Sequence, residues 1–444
     1  MDDFLGNPDR LEILLIGAVM IIGTMLPYYL HQRRLERRAR RAAEEAKRFG
    51  LDEPATLHPV IHQGECIGTG ACLSVCPEGD VLGLQHGQAE PIAPGKCIGH
   101  GLCERACPVD AIRLVFGTSR RGVELPRIQA NFETNVPGLY VIGELGGMGL
   151  IRNAFEQGRQ CIEGIAASSR DNHGDGVVDV LIVGAGPAGL SASLNCLHHG
   201  LSFRTLERED VGGTVRAYPR KKLVLTQPVA VPGYGQLKVQ EIRKEALMDL
   251  WGDIIEKSGL EVQTEEIVSA IKRQPDGTFT VETPKGEYRA ERVVLAIGRR
   301  GVPRKLGVPG EDLPKIAYSL LEPEHYAGDR IVVVGGGDSA VEAAMALAEQ
   351  PRTTVSLSYR KDRFTRIKPK NHSFFEEAVA AGKIEPLWRT NLTEIRSDAV
   401  SYQNANGNVH ELPNDQVFIF AGGELPTRFL RDSGIIIDMK FGEP

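Results

Sequence analysis

The sequence predicts an α/β protein with two Rossmann-like domains, preceded by a small α+β domain and one apolar N-terminal helix. Three observations predict it. Two apolar strand-like runs, VDVLIVGAGPAGL at 178–190 and IVVVGGGDSAVEA at 331–343, pass straight into spaced glycines and then into a helix-like stretch, the sequence form of a β-turn-α unit that can hold a dinucleotide. Six of the eight cysteines fall between Cys66 and Cys107, in two copies of one pattern. Residues 11–30 are apolar apart from Glu12 and Thr24, about the length that crosses a bilayer core.

A chain of 444 residues has room for two to four domains. Its hydrophobic content of 42% and charged content of 25% are ordinary for a globular protein. The 50 glycines exceed the usual ~7% share and gather in short loops, as nucleotide-binding turns require. A net charge of −6 argues against a nucleic-acid partner, because such domains are usually clearly basic.

The apolar run is followed at once by Arg33, Arg34, Arg37, Arg38, Arg40 and Arg41, while Asp2, Asp3 and Asp9 flank its start. Positive charge collects on the cytoplasmic side, so 11–30 is expected to be a single-pass transmembrane helix with the bulk of the chain facing the cytoplasm. A signal peptide would carry its charge before the run and a small-residue cleavage site after it. A buried soluble helix sits poorly beside so many arginines. Residues 31–55 are expected to be a basic juxtamembrane linker. Its 36–48 part is either a helix near anionic headgroups or a solvated linker helix.

Residues 66–77 read CIGTGACLSVCP and residues 97–108 read CIGHGLCERACP. Closely spaced thiolates on a glycine-rich loop can wrap a metal cube corner by corner, and clusters need the reduced thiols of a cytoplasmic compartment. The segment 56–117 resembles the bacterial two-cluster ferredoxins, which repeat Cys-x2-Cys-x2-Cys-x3-Cys-Pro and lend the fourth cysteine to the other cluster. The second cysteine of each repeat is replaced here, by Thr69 and by His100. The resemblance then implies Cys66, Cys72 and Cys107 as ligands of one iron–sulfur cluster, and Cys97, Cys103 and Cys76 of the other. Three thiolates suit a [3Fe-4S] cluster, or a [4Fe-4S] cluster completed by His100 or solvent. A zinc site and a degenerate ferredoxin are the alternatives.

At 178–190 the glycines are Gly184, Gly186 and Gly189, and an acid, Glu207, closes the next strand-like stretch. This pattern brings a backbone up to a pyrophosphate at a helix N-terminus and gives the acid to the ribose. Gly212, Gly213 and Thr214 follow; segments 261–289 flank a Pro275-Asp276-Gly277 turn, and VVLAIG ends at Gly298. Together these resemble the thioredoxin-reductase type of the pyridine nucleotide-disulfide oxidoreductase superfamily. The resemblance implies an FAD domain at 176–310 that contacts FAD through those glycines, Glu207 and Thr214.

The second fingerprint, Gly335, Gly337 and Ala340, implies an NAD(P)H domain at 311–410. After its next strand come Tyr359, Arg360 and Lys361 instead of an acid. Cations there accommodate a 2′-phosphate, so NADPH is expected over NADH. In this family the last FAD motif closes the chain. Here residues 411–444 resemble only the return to the FAD domain, and the closing motif appears upstream, in TNVPGLYVIGELGGMGLIRNAFEQGRQCIE at 134–163. Residues 126–168 are therefore expected to be a circularly permuted closing segment. Gly143, Glu144 and Asn153 would contact FAD, and a helix from about Leu150 would point its N-terminus at the flavin.

The stretch YSLLEPEHYAGDR at 318–330 lacks the redox cysteine pair of thioredoxin reductases, and Cys161 and Cys196 lie singly on apolar helical faces. The expected function is a membrane-anchored NAD(P)H-dependent oxidoreductase passing electrons through FAD to iron–sulfur clusters and on to an unidentified acceptor. Hydride transfer needs no general acid or base, and no catalytic residue is assigned. A flavin-dependent reductase of small disulfides and a membrane redox sensor are the alternatives. The acceptor, whether protein or small molecule, and a homodimeric state are left open.

Overall fold

The structure is a computed structural model that describes residues 8–48, 50–54, 57–97, 99–120, 122–147, 149–168, 174, 176–218, 223–225, 229–232, 234–237, 241–299, 301–364 and 367–442. The chain forms two compact units, Met1–Arg121 with Phe441–Pro444, and Gly122–Lys440.

In the first unit a single helix, α1 (Pro8–Arg48), runs through both the apolar and the arginine-rich stretches, with Pro27 inside it. The helix expected over 36–48, within the 31–55 linker, is the second half of α1 and runs on unbroken from the apolar stretch. Ala39 and Ala46, seven positions apart and therefore on one face, are both buried. Ala39 comes so close to the strand Leu82–Gln85 that a Cβ on Gly83 would lie 2.7 Å from its own Cβ, and Arg38 pairs with Asp80 at 2.9 Å. Small side chains let the helix lie flat, so it packs instead of standing in solvent. The large apolar side chains from Ile16 to Leu30 are exposed. Among the described residues no helix is long and apolar enough to cross a membrane. The side chains of 11–15, the first five positions of the expected span, lie outside the described residues, as do Asp2 and Asp3.

The rest of this unit is a pseudo-repeat. Leu57–Ile61 pairs antiparallel with Ile112–Phe116, and Leu82–Gln85 pairs antiparallel with Gln88–Pro91. Two one-turn helices, α2 (Ala71–Ser74) and α3 (Leu102–Arg105), each start on a left-handed glycine, Gly70 at φ 72° and Gly101 at φ 71°. Ile61, Val81, Leu82, Leu84 and Ile112 form the core against the six cysteines.

The second unit is built on two larger sheets, of six and five strands. In the first, Val177–Val183 lies between Phe203–Leu206 and Gly286–Leu295, which pairs onward to Phe279–Thr283 and Ala270–Arg273. Leu139–Val141 also joins Gly286–Leu295, in parallel, with Val293, Val294 and Leu295 opposite Leu139, Tyr140 and Val141. It is followed by α4 (Ile151–Ala167), which packs on α5 (Pro187–His198) through Ala154, Cys161, Ile162, Ala188 and Ala192. The helix α6 (Lys244–Ser258) adds Leu247, Trp251 and Ile254 to a neighbouring core.

In the second sheet Arg330–Gly335 is flanked by Thr354–Tyr359 and Gln416–Phe420, with α7 (Asp338–Ala348) and α8 (Pro369–Ala380) packed on it. An antiparallel meander of 391–395, 399–403 and 409–413 is inserted before the last strand. The NAD(P)H domain therefore extends past 410. QVFIF at 416–420 belongs to this sheet, because an apolar run buried on both faces suits a central parallel strand. The return begins after it: Gly423–Glu424 pairs with Val302–Pro303, and α9 (Thr427–Asp432) brings Leu430 and Ile435 into the first domain's core. The return ends on Ile437–Lys440, paired with Val123–Pro126, and Phe441 and Gly442 belong to the first unit rather than to the FAD domain.

Candidate functional site

Two glycines of the first fingerprint, Gly184 and Gly189, are there because nothing else fits. A Cβ on Gly189 would lie 1.8 Å from the Gly184 carbonyl oxygen, and one on Gly184 would lie 2.6 Å from the Ala296 carbonyl oxygen. Gly186 caps α5 with Pro187 at the first helical position, which leaves the helix N-terminus open to an anion. Gly213, at the start of a 3-10 turn with Thr214, stacks on the same loop: a Cβ there would lie 3.3 Å from Gly186 Cα. Glu207 is buried at the end of its strand. Its carboxylate accepts the Ala185 N–H at 2.6 Å and the Glu209 N–H at 3.0 Å, so it braces the fingerprint loop as well as standing where a ribose would be read.

The segment from 139 reaches the same place. A Cβ on Gly143 would lie 2.9 Å from Ala188 Cβ, and the Gly143 N–H donates to Gln157 Oε1 at 2.7 Å. Glu144 sits in the 3-10 turn that follows, and Asn153 in the first turn of α4. Gly298, at φ 66°, leads into Arg299, which sequence reading missed. Burial pulls the Arg299 guanidinium below its ordinary range, against the carboxylates of Glu144 and Glu124, which push it up. Its one sequence signal was its place directly after the Ala-x-Gly turn. The structure thus brings Gly184, Gly186, Gly189, Glu207 and Gly213 together, and sets Gly143 against the same helix. The tightly packed glycine loop and the open helix start at Gly186 fit an extended dinucleotide such as FAD.

The second fingerprint repeats the logic. A Cβ on Gly335 would lie 2.6 Å from the Phe420 carbonyl oxygen and 2.9 Å from Ala340 Cβ, and one on Gly336 would lie 2.0 Å from the Tyr359 ring. Gly337 caps α7. Arg360 and Lys361 are exposed just beyond the neighbouring strand. Asp338 accepts the Lys368 N–H at 2.8 Å and Asn371 Nδ2 at 2.7 Å, which ties the helix start to α8.

All eight cysteines are free thiols, and in the first unit Cys66, Cys72, Cys76, Cys97, Cys103 and Cys107 share one packed cluster. Burial pushes the Cys72 and Cys97 thiols up to about 11, partly offset by backbone N–H groups aimed at their sulfurs. Cys97 senses the Cys103 and Cys76 thiols, and Cys103 senses Cys76, which are the three ligands implied for one cluster. Cys72 senses Cys66 and also Cys103. The Ala89 N–H donates to Cys66 Sγ at 3.5 Å and the Ala111 N–H to Cys107 Sγ at 3.3 Å, contacts of the kind that tune a bound cluster. Among the described residues no three His, Cys, Asp or Glu side chains are already gathered as ligands of a single metal ion. An iron–sulfur cube takes its thiolates at separate iron corners, and a clustered set of thiols with backbone N–H groups aimed at Cys66, Cys72, Cys97, Cys103 and Cys107 fits it. Thr69 is exposed, and the His100 carbonyl accepts from Arg105.

The profile of the pyridine nucleotide-disulphide oxidoreductase family matches residues 181–444. The chain belongs to that family. A 4Fe-4S dicluster domain matches residues 58–108. Over 258 residues the family member is 33% identical to the ferredoxin–NADP reductase of Ignicoccus hospitalis, covering 56% of this chain and 78% of the relative. It is 27% identical over 268 residues to the bacilliredoxin reductase Bdr of Bacillus subtilis, covering 60% and 82%. Among solved structures, the bacillithiol disulfide reductase of Staphylococcus aureus superposes with a TM-score of 0.50 at 28% identity, covering 59% of this chain and 81% of that one. The family member is an NAD(P)H-dependent FAD oxidoreductase with a 4Fe-4S domain fused ahead of it.

Proposed function

We propose that this flavoprotein takes hydride from NADPH and delivers electrons singly, through the clusters of its own dicluster domain, to an external acceptor. The observation that carries the reading is the state of the cysteines. The two thiols outside the cluster set, Cys161 and Cys196, are both buried, and burial pushes both well above the ordinary thiol range. They are poor nucleophiles, so the disulfide outlet of the thioredoxin reductases has no exposed thiol to use. FAD, when bound, supplies the exchange between a two-electron donor and one-electron carriers. The chain's own residues would bind and orient the cofactors: the fingerprint loops would hold their pyrophosphates, and Glu144 with the start of α4 would contact FAD.

Three finer features belong to this reading. Residues 126–168 act as a circularly permuted closing segment of the FAD domain, supported by the pairing of 139–141 with 293–295. Each cluster is held by three thiolates. The exposed apolar stretch of α1 with its arginine collar anchors the chain in a membrane, and removing residues 1–30 should release the protein from washed membranes.

Rapid mixing with NADPH under anaerobic conditions tests the electron route. Flavin absorbance should bleach first and cluster absorbance should follow at the same site concentration. Flavin that bleaches while the clusters stay oxidised would sink the reading. The likeness to bacillithiol disulfide reductase favours a second one, direct reduction of small disulfides by the flavin. It predicts turnover with low-molecular-weight disulfides that survives loss of iron.

A further inference from the structure

Arg299 leaves the carboxyl end of a strand central to the FAD domain. Gly286–Leu295 runs parallel to Val177–Val183 on one side and to Leu139–Val141 on the other. The Ala296 N–H donates to the Val183 carbonyl at 2.8 Å, and the Ile142 N–H donates to the Leu295 carbonyl at 3.0 Å. Residues 296–299 therefore emerge between the fingerprint loop that starts at Gly184 and the turn that carries Gly143 and Glu144. In open α/β sheets ligands lie outside the carboxyl ends of the strands. Arg299 puts a cation there.

The protein leaves that charge without a counter-ion. The guanidinium is half-buried and donates to the Glu124 main-chain carbonyl at 3.4 Å, a neutral acceptor. Among the described residues no carboxylate forms an ion pair with it, and the Glu124 side chain pairs with Arg431 instead, at 3.4 Å. The Glu144 carboxylate lies beside Gly149, where a Cβ would sit 3.7 Å from its Oε1. A guanidinium keeps its proton even where burial disfavours the charge. The cost of desolvating it is left for a bound anion to offset.

The fold narrows which anion. The diphosphate of a dinucleotide belongs at the N-terminus of α5, on one side of residues 296–299. Glu144 and the start of α4 lie on the other side. An FAD that reaches both carries its flavin half across the end of the central strand. Hydride from NADPH, which leaves as NADP⁺, adds two electrons and one proton to a neutral flavin ring, so the ring gains one negative charge. A partly desolvated cation close by favours that form.

We propose that Arg299 is the counter-charge of the reduced flavin: it favours reduced over oxidised FAD and so raises the reduction potential of the bound cofactor. The inference rests on FAD occupying the cradle described above and adds to it the residue that sets its potential.

The test uses the full-length holoprotein and reads the flavin midpoint potential at the flavin's own absorbance band, by equilibration with reference dyes. Arg299→Gln should bind reduced FAD about tenfold more weakly relative to oxidised FAD, which lowers the two-electron potential by about 30 mV. Arg299→Lys should recover most of the difference. Arg431→Gln, which removes an exposed cation paired with Glu124, should change the ratio by less than about twofold. Unfolding temperatures report whether each variant is folded. If Arg299→Gln purifies without flavin, titrating that protein with oxidised and with reduced FAD gives the same ratio directly. Weaker binding of both forms at an unchanged ratio would assign the charge to the diphosphate and overturn the proposal. Lower stability at an unchanged potential would make Arg299 a structural residue and overturn it equally. A yellow variant with the unmodified potential defeats this inference alone, whereas an unmodified protein that binds no FAD would remove the reading beneath it.

Discussion

Gly158 on α4 lies against Ala188 on α5 so closely that a Cβ added to Gly158 would sit 2.5 Å from the Ala188 carbonyl oxygen and 2.8 Å from Ser191 Cβ. The Ser191 hydroxyl donates to the Phe155 carbonyl at 2.6 Å across the same contact. The helix that follows the 139–141 strand is thereby locked to the helix that opens on the fingerprint glycines.

Gly158→Ala should therefore destabilise the FAD domain by about 2 kcal/mol, in the range of overpacking a tight contact, and lower the FAD retained after purification. Gly164 on the same helix has nothing within 4 Å of its would-be Cβ. Gly164→Ala should be neutral or stabilise by up to about 1 kcal/mol through helix propensity. Thermal unfolding and flavin absorbance of the two variants check the contrast.

A chain beginning at Gly176 keeps both fingerprints but loses the strand Leu139–Val141 and α4. It also loses the fully buried Leu139, Val141, Ile142 and Ile162. It should aggregate or purify without flavin, since the exposed core face has no cover. A chain beginning at Gly122 should bind FAD and contain no iron. A yellow, folded protein from 176 onward would show that the 126–168 segment is a connector and nothing more.

Thr69 and His100 occupy the positions where two-cluster ferredoxins carry a second cysteine. The oxidised protein is expected to give the paramagnetic signal of three-iron clusters. Thr69→Cys with His100→Cys should restore a four-thiolate set at each loop and replace that signal with one seen only after reduction. If the unmodified protein already shows the reduced four-iron signal alone, some other group completes its sites.

Arg330 grips Asp415 with two guanidinium contacts, at 2.7 and 2.9 Å, and its backbone N–H donates to the same carboxylate at 2.8 Å. The Arg330 hydrogen bond lowers Asp415 from the ordinary carboxylate value of 3.8 to about 2. A folded-state value below the unfolded one stabilises the fold above about pH 4, and that contribution is lost as pH falls toward 2. The pair is partly exposed, so screening reduces the effect, and Asp415→Asn should cost about 1 kcal/mol at pH 7. Denaturant midpoints of the two proteins should converge as pH approaches 2. A gap that persists there would assign the effect to packing instead of charge.

Replacing Arg360 and Lys361 together with alanine should abolish the preference for NADPH, with KM for NADPH rising about tenfold or more and KM for NADH little changed. Steady-state kinetics with an artificial one-electron acceptor measures this without any demand on the natural partner. Equal use of both nucleotides by the unmodified protein would remove its basis.

The sequence alone determined the chemistry-bearing loops. Gly184, Gly186 and Gly189 and the two cysteine repeats were legible. Each is a local code, in which steric demands and ligand spacing are met within a dozen consecutive residues. Tertiary structure alone decided the rest. Nothing near Arg33–Arg41 in the chain says that Ala39 will lie against Gly83, so the helix over 36–48 is legible in the sequence but the face it packs is not. The strand 416–420 carries no mark of which sheet it will enter. Arg299 comes under the field of Glu144, 155 residues earlier, and Arg389 meets Asp362 only because two backbone hydrogen bonds tie their turns together. Such pairings depend on how distant strands pack, and a side chain's partner across a fold leaves no periodicity or spacing in the chain that bears it.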